Sequence, residues 1–131
     1  MLLALACAAT AGDVEDGAAA IIRKDYASAL THFKLAADQG DASAQSSLGN
    51  MYYYGEGVPQ DYAQAADWYR KAADQGNAVA QFVLGFMYDK GQGVPQDDAQ
   101  AADWYRKAAD QGNAGAQLFL GLMYDNGQGV P

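Results

Sequence analysis

The sequence is poor in the residues that build metal sites, cross-links and most catalytic centres. Its 131 residues include a single cysteine, Cys7, and a single histidine, His32. No cysteine lies near His32, so the clustered ligand spacing of a metal site is missing, and no serine or carboxylate completes the pattern of a catalytic triad. The composition therefore predicts no metal, no cofactor and no catalytic residues, and it indicates that the chain is not an enzyme.

Basic residues are also scarce. Eight lysines and arginines face sixteen acidic residues, which gives a net charge of −8. A surface of this sign repels phosphate backbones and offers no polybasic contact to anionic lipid. The charge balance therefore predicts that nucleic acid is not a partner.

The N-terminal apolar run, residues 1–11, is too short to span a bilayer. It resembles the apolar centre of a secretory signal followed by the cleavage pattern Ala9-Thr10-Ala11, although no basic residue precedes Arg23. We interpret this run as a truncated signal peptide. The mature chain then begins near Gly12, lacks cysteine and membrane insertion, and is periplasmic or secreted.

Two alternatives for this run stay open. In the first alternative, the run is a disordered or helical tail of a cytoplasmic protein. In the second, Cys7 is attached to lipid. The second is weaker because Ala4 stands where a lipoprotein signal usually has leucine.

A 36-residue repeat dominates the rest of the chain. Residues 60–95 recur as residues 96–131 with 6 of 36 positions changed, and residues 24–59 are a more divergent copy. A fixed period of this length is typical of a solenoid, in which each unit buries its apolar face only against its neighbours.

Each unit divides into two helical stretches. In the second copy Asp61 is the N-cap candidate of a helix over 62–75, and Gly76 is its left-handed stop. Asn77 then caps a second helix over 78–88, and a glycine-rich loop ends the unit at Pro95. No stretch alternates with period two, so the pattern predicts an all-α fold of stacked antiparallel helix hairpins.

Three motifs recur in this hairpin: Ala-Ala-Asp-Gln-Gly, Ala-x-Ala-Gln-x-x-Leu-Gly-x-Met-Tyr and Gly-x-Gly-Val-Pro. Together they resemble the Sel-one-like repeat family, a relative of the tetratricopeptide repeats, over residues 24–131. The resemblance implies a right-handed α-solenoid that holds proteins or peptides together, often in bacterial envelopes. In the second copy the matching residues are Ala72, Ala73, Gly76, Ala78, Ala80, Gln81, Leu84, Gly85, Tyr88, Gly91, Gly93, Val94 and Pro95.

The predicted organisation has five parts: a signal peptide over 1–11, a capping helix over 12–23, and repeats over 24–59, 60–95 and 96–131. We expect the cap to bury Ile21 or Ile22 against Tyr26 and Leu30. The sequence stops at Pro131, on a repeat boundary. We therefore expect either a fragment of a longer array or self-association through an uncapped last repeat.

Differences between the copies indicate a surface. On the second helix the variable positions fall on one arc, and the invariant positions fill the opposite half. The first copy has serine and asparagine on this arc, whereas the later copies are apolar, so we expect the arc to be at least partly exposed. The predicted partner-binding stripe is Val79, Phe82, Val83, Phe86, Leu118, Phe119 and Leu122. The alternative is that its phenylalanines pack between units or are covered by a further C-terminal segment.

The first helix offers a second candidate surface. Trp68 and Trp104 lie one period apart, and so do Arg70 and Arg106, so stacked units would arrange them in ladders that suit peptide capture. The alternative is that the tryptophans are half-buried packing residues. The neighbouring tyrosines align with Phe33, and we expect all three of these rings to be core.

The functional hypothesis is a non-enzymatic, exported scaffold that binds a protein or peptide. Some cysteine-rich members of the resembled family have been associated with cell-wall hydrolysis or β-lactam binding. Those members link each helix pair with a disulfide, and this chain, with Cys7 as its single cysteine, has no pair of cysteines to form one. Self-assembly into an array is a further alternative.

Overall fold

The computed structural model describes residues 11–130, and these residues form an all-α solenoid. Each helix packs against the helix before it and the helix after it, and no strand occurs within the described range. The predicted all-α solenoid of stacked helix pairs is confirmed. The helices are α1 (Ala11–Ile22), α2 (Tyr26–Asp38), α3 (Ala42–Tyr54), α4 (Tyr62–Asp74), α5 (Ala78–Lys90), α6 (Asp98–Asp110) and α7 (Ala114–Asn126).

Each of the helices α2–α7 begins after an N-cap residue whose side chain accepts a backbone hydrogen bond. The Asp61 side chain accepts a hydrogen bond from the backbone N–H of Gln64, and the Asn77 side chain accepts one from the N–H of Ala80. Both bonds satisfy one of the free N–H groups at a helix start. The other caps are Asp25, Asp41, Asp97 and Asn113, so the predicted start signals recur in every copy.

Glycine ends the first helix of each repeat. At the end of α4 the N–H of Gly76 donates to the carbonyl of Ala73, and the N–H of Asn77 donates to the carbonyl of Ala72. Gly76 has φ +93°, the left-handed conformation that the sequence predicts for it. The second helix is longer than predicted, since α5 continues to Lys90 before Gly91 ends it with φ +67°.

The core repeats one contact, an aromatic ring against a glycine. A Cβ atom added to Gly49 would lie 2.8 Å from the Tyr69 ring, and one added to Gly85 would lie 2.8 Å from the Tyr105 ring. Both tyrosines and Phe33 are at most 2% exposed, so their predicted place in the core is confirmed. Only glycine lets the two helices approach this closely.

Helix α1 makes the same contact as α3 and α5. A Cβ atom on Gly17 would lie 2.6 Å from the Phe33 ring. Ile21 packs on the core with Tyr26 and Leu30, whereas Ile22 is 84% exposed. The link from α1 to α2, residues 23–25, is shorter than the links after α3 and α5, residues 55–61 and 91–97, because it lacks their glycine-rich segment.

Buried glutamines connect consecutive units. The Gln81 side-chain amide donates to the Ala73 carbonyl at 3.1 Å and accepts from the Gln111 side chain at 2.9 Å. Gln45 makes the same two bonds, to Ala37 at 3.3 Å and from Gln75 at 2.7 Å. Each glutamine therefore ties its own helix pair together and also binds the next pair.

Candidate binding grooves

Two apolar grooves open side by side on the face formed by the odd-numbered helices, which we call the odd face. The first groove lies between α1 and α3 above Phe33 and has a volume of about 370 Å³. The second groove lies between α3 and α5 above Tyr69 and has a volume of about 320 Å³. The first is lined by Ala18, Ile21, Ile22, Phe33, Ser47, Asn50, Met51, Tyr54 and Glu56, and the second by Asn50, Tyr53, Tyr54, Tyr69, Phe82, Val83, Phe86 and Phe119.

Asn50 and Tyr54 line both grooves and form the ridge between them. The Tyr69 hydroxyl at the floor of the second groove donates to the side-chain oxygen of Asn50. Burial raises the pKa of Tyr69, and the neighbouring Tyr54 and Tyr53 raise it further. The raised pKa favours the protonated phenol, whose hydroxyl is the donor to Asn50, and this hydrogen bond fixes the hydroxyl of the floor ring.

The wall of the second groove is also fixed by hydrogen bonds and ring contacts. The Tyr53 hydroxyl donates to the Gln92 side chain at 2.9 Å, and the Tyr53 ring meets the Tyr54 ring edge-on at 5.0 Å. Burial, followed by the nearby Tyr62, raises the pKa of Tyr53. The groove is therefore a largely preformed aromatic surface rather than a gap between mobile side chains.

The equivalent position above Tyr105 is filled by the chain itself. The Phe119 ring stacks on Tyr105 with a centroid distance of 5.7 Å and an interplanar angle of 29°. Phe82 lies 5.9 Å from Tyr105 and 5.7 Å from Phe119. One repeat earlier, the residues at these two positions are Ser46 and Val83, whose smaller side chains leave the second groove open above Tyr69.

The structure divides the predicted stripe into two sets. Phe82, Val83, Phe86 and Phe119 are half-buried and line the second groove. The other three, Val79, Leu118 and Leu122, are 54%, 62% and 46% exposed and line neither groove.

The expected exposure of the variable arc fails at one position in the first copy. Ser46 is only 7% exposed, whereas Ser43 and Asn50 on the same arc are exposed. The alternative that phenylalanines pack between units holds for Phe82 and Phe119, which meet above Tyr105.

The predicted tryptophan and arginine ladders lie on the even-numbered helices and line neither groove. Trp68 and Trp104 are half-buried, and the Lys71 and Lys107 ammonium groups lie 4.2 and 4.3 Å from their ring centroids. Both rings also pack against the buried core, as the alternative of half-buried packing residues requires.

The two arginines bind the second helix of their own repeat. Arg70 donates a hydrogen bond to the Tyr88 hydroxyl. Arg106 donates to the Tyr124 hydroxyl at 3.3 Å and to Asp103 at 3.1 Å. Both arginines therefore join the helices within a unit.

His32 has a carboxylate partner that the sequence did not suggest. Its Nδ1 lies 2.9 Å from an Asp13 oxygen, across the α1–α2 contact. Within residues 11–130 no group of three or more potential ligands is placed to hold a metal ion.

Several groove residues were missed by the sequence argument, notably Tyr54, Asn50 and Glu56. Asn50 lies on the variable arc, and Tyr54 ends a run of three tyrosines where the second copy has Tyr-Asp-Lys. The sequence therefore contains a signal for Asn50 and for Tyr54. Glu56 gave none, because only the fold brings it beside the first groove, where it accepts a hydrogen bond from Tyr26 and thereby raises the pKa of that phenol.

The repeated helix pair and its glycine contacts define a tandem-repeat α-solenoid. The Sel1 repeat model matches residues 4–41, 42–77, 78–113 and 114–131, so the chain belongs to the Sel1 repeat family. The matched units begin at odd-numbered helices, and the first of them joins α1 to α2. Sel1 repeat proteins are generally non-enzymatic scaffolds that mediate protein–protein interactions.

Solved structures show the same fold. A protective antigen present in uropathogenic Escherichia coli strains, which displays an SLR fold, is 47% identical with a TM-score of 0.79; the match covers 81% of this chain and 23% of that one. A Sel1 repeat protein from Oxalobacter formigenes is 38% identical with a TM-score of 0.86, covering 89% and 48%.

A more distant structure is the cysteine rich protein B of Helicobacter pylori, 26% identical with a TM-score of 0.68, covering 70% of this chain and 69% of that one. The chain thus spans less than half the length of the first two structures. A comparison with the curated proteins gives no significant match.

The described helices are too short or too polar to cross a bilayer. Residues 1–10 lie outside the described range, so the signal peptide stays a prediction.

Proposed function

We propose that this chain is a non-enzymatic scaffold, exported from a bacterial cytoplasm, that binds a protein or peptide on its odd face. The observation that supports this most is the pair of adjacent open grooves, which offer apolar and aromatic surface next to one another. Exposed apolar surface of this kind commonly marks an interaction site. The general role of Sel1 repeat proteins points the same way.

The binding surface can be tested by selecting a displayed library of random 12-residue peptides on the immobilised protein. Phe86→Ser removes a half-buried ring from the second groove and should weaken binding of the selected peptides by about tenfold. Trp104→Ser removes a ring from an even-numbered helix and is the matched control. Fluorescence polarisation measures both affinities, and circular dichroism checks that helicity is retained.

A library that yields no peptide of measurable affinity would contradict the proposed function. If Trp104→Ser were the damaging change, binding would lie on the even-numbered helices instead. Incubating the purified protein with a chromogenic β-lactam tests the enzymatic alternative, for which turnover would be the contradictory result.

Export rests on the N-terminal apolar run. Fusing residues 1–30 to a phosphatase that is active only outside the cytoplasm should give an active reporter, and deleting residues 2–9 should abolish that activity. An inactive fusion would favour the cytoplasmic alternative.

A second candidate function is self-association through α7. This helix exposes Leu118, Leu122 and Tyr124, the last of these at 50%, while a Cβ atom on Gly121 would meet no atom within 4 Å. Light scattering over a concentration series should then show a mass increase that Leu122→Glu removes. A constant monomer mass would exclude this candidate.

A further inference from the structure

The filled position above Tyr105 and the open groove above Tyr69 are the same site in two consecutive repeats. Tyr69 and Tyr105 are equally buried and sit against equivalent glycines, Gly49 and Gly85. Above Tyr105 the space is occupied by the stacked ring of Phe119. Above Tyr69 the corresponding residue is Val83, and the space stays open.

The filled site therefore indicates which kind of side chain can bind in the open groove. A buried tyrosine floor accepts a ring at stacking distance, as Phe119 demonstrates within this chain. The walls of the open groove, Phe82 and Phe86, present ring surface to the same space. A ring from another molecule would make the contacts that Phe119 makes one repeat later.

The negative charge of the odd face favours a positively charged peptide as the carrier of such a ring. Among the described helices, α1, α3, α5 and α7 contain one basic residue, Lys90, which lies 3.6 Å from Asp89. The same helices contain five acidic residues, which gives them a net charge of −4, whereas α2, α4 and α6 contain five basic and six acidic residues, a net charge of −1. Glu56 adds a carboxylate to the lining of the adjacent first groove.

We propose that the second groove binds an aromatic side chain of a cationic peptide segment, stacked on Tyr69, with a basic residue of that segment near Glu56. This inference rests on the proposed function and specifies its ligand. It identifies Tyr69 as the floor, Val83 as the residue that keeps the groove open, and Glu56 as the charge determinant.

The decisive variant gives the second repeat the residue that the third repeat has at this one position. Val83→Phe places a ring above Tyr69, as Phe119 does above Tyr105, and the third copy already tolerates that residue. We expect Val83→Phe to weaken peptide binding about tenfold or more. Val79→Phe adds the same ring at a 54% exposed position of the same helix, outside the groove, and should bind as wild type.

The probes are the peptides selected on the wild-type protein, together with synthetic versions in which the aromatic residue is changed to serine or the basic residues to glutamate. We expect the selected sequences to be enriched in aromatic and basic residues, and both changes to abolish measurable binding. Glu56→Gln should cost about two- to fivefold, with a weaker dependence on salt. Should Val83→Phe fail to fold, Val83→Leu is the smaller filling variant.

Three results would overturn the inference. If Val83→Phe binds the peptides as wild type does, the groove is not the site, although the proposed scaffold function survives. Selected peptides without rings or with acidic character would contradict the ligand chemistry. A dimer that Val83→Phe dissociates in light scattering would show that a second copy of this chain occupies the groove.

Discussion

The middle and the last repeat have nearly the same sequence but very different surroundings. Tyr88 of α5 is 5% exposed, whereas Tyr124, its counterpart in α7, is 50% exposed. Within the described residues α6 packs on α5, but no helix packs on the far side of α7. Burial in this array is therefore set by the neighbouring unit, and a residue's own identity does not determine it.

The largest effect that tests this comparison is expected at a leucine. Leu84 is fully buried, so Leu84→Ala should lower the free energy of unfolding by about 2–5 kcal/mol. Leu120 is its half-buried counterpart, and Leu120→Ala should cost less than half as much. Urea denaturation of the two variants measures the difference, and equal losses would mean that α7 is packed as tightly as α5.

A glycine pair should give effects of opposite sign. At Gly85 a Cβ atom would lie 2.8 Å from the buried Tyr105 ring, so Gly85→Ala should destabilise the protein by about 1–3 kcal/mol. At Gly121 nothing lies within 4 Å, and alanine should stabilise the helix by about 0.5–1 kcal/mol. A loss of stability in Gly121→Ala would show that a neighbour covers that glycine in solution.

The glutamine contacts give a smaller test. Gln81→Ala removes a buried amide that bonds to both Ala73 and Gln111, and it should cost about 1–3 kcal/mol. Gln117 is exposed and bonds to Ala109 at 3.2 Å, so Gln117→Ala should cost less than about 1 kcal/mol. Thermal unfolding monitored by circular dichroism ranks the pair, and the reverse order would contradict the role of the buried amide.

The smallest effect is a control, because helix caps are local and should not depend on the neighbouring unit. Hydrogen bonds from the backbone and side chain of Gln64 lower the pKa of Asp61, and those from Gln100 do the same for Asp97. A lowered pKa adds stability above the unfolded value of about 3.9 and loses it as the pH falls through the folded value.

Asp61→Asn and Asp97→Asn keep the cap but cannot titrate. Each should flatten the loss of stability between about pH 5 and pH 2 by the same small amount, measured by urea denaturation at each pH. Unequal changes would show that the stability contributed by a cap depends on the position of its repeat in the array.

Much of the fold could be predicted because local signals and the repeat agree. Asp61, Gly76 and Asn77 mark helix ends in the sequence and act as such in the structure. The alignment of Tyr69 and Tyr105 with Phe33 predicts that all three rings are core, and all three are buried. These features depend on one unit or on the contact that every unit repeats.

The grooves were predicted only in part, because they depend on pairs of positions in different units. Phe119 lies above Tyr105 while Val83 lies above Tyr69, and neither pairing follows from the order of residues along one helix. The variable arc therefore contains both the groove-lining phenylalanines and the exposed Leu118 and Leu122. Only the packing between helices distinguishes the two sets.

The recurring glycine-on-ring contact makes the units interchangeable. Gly49 meets Tyr69 as Gly85 meets Tyr105, so α3 could receive α6 in place of α4 without a new kind of junction. Excising residues 60–95 would join Pro59 to Gln96, the residue that already follows Pro95. Such a scaffold can change its reach in whole 36-residue steps while the chemistry at each junction stays the same.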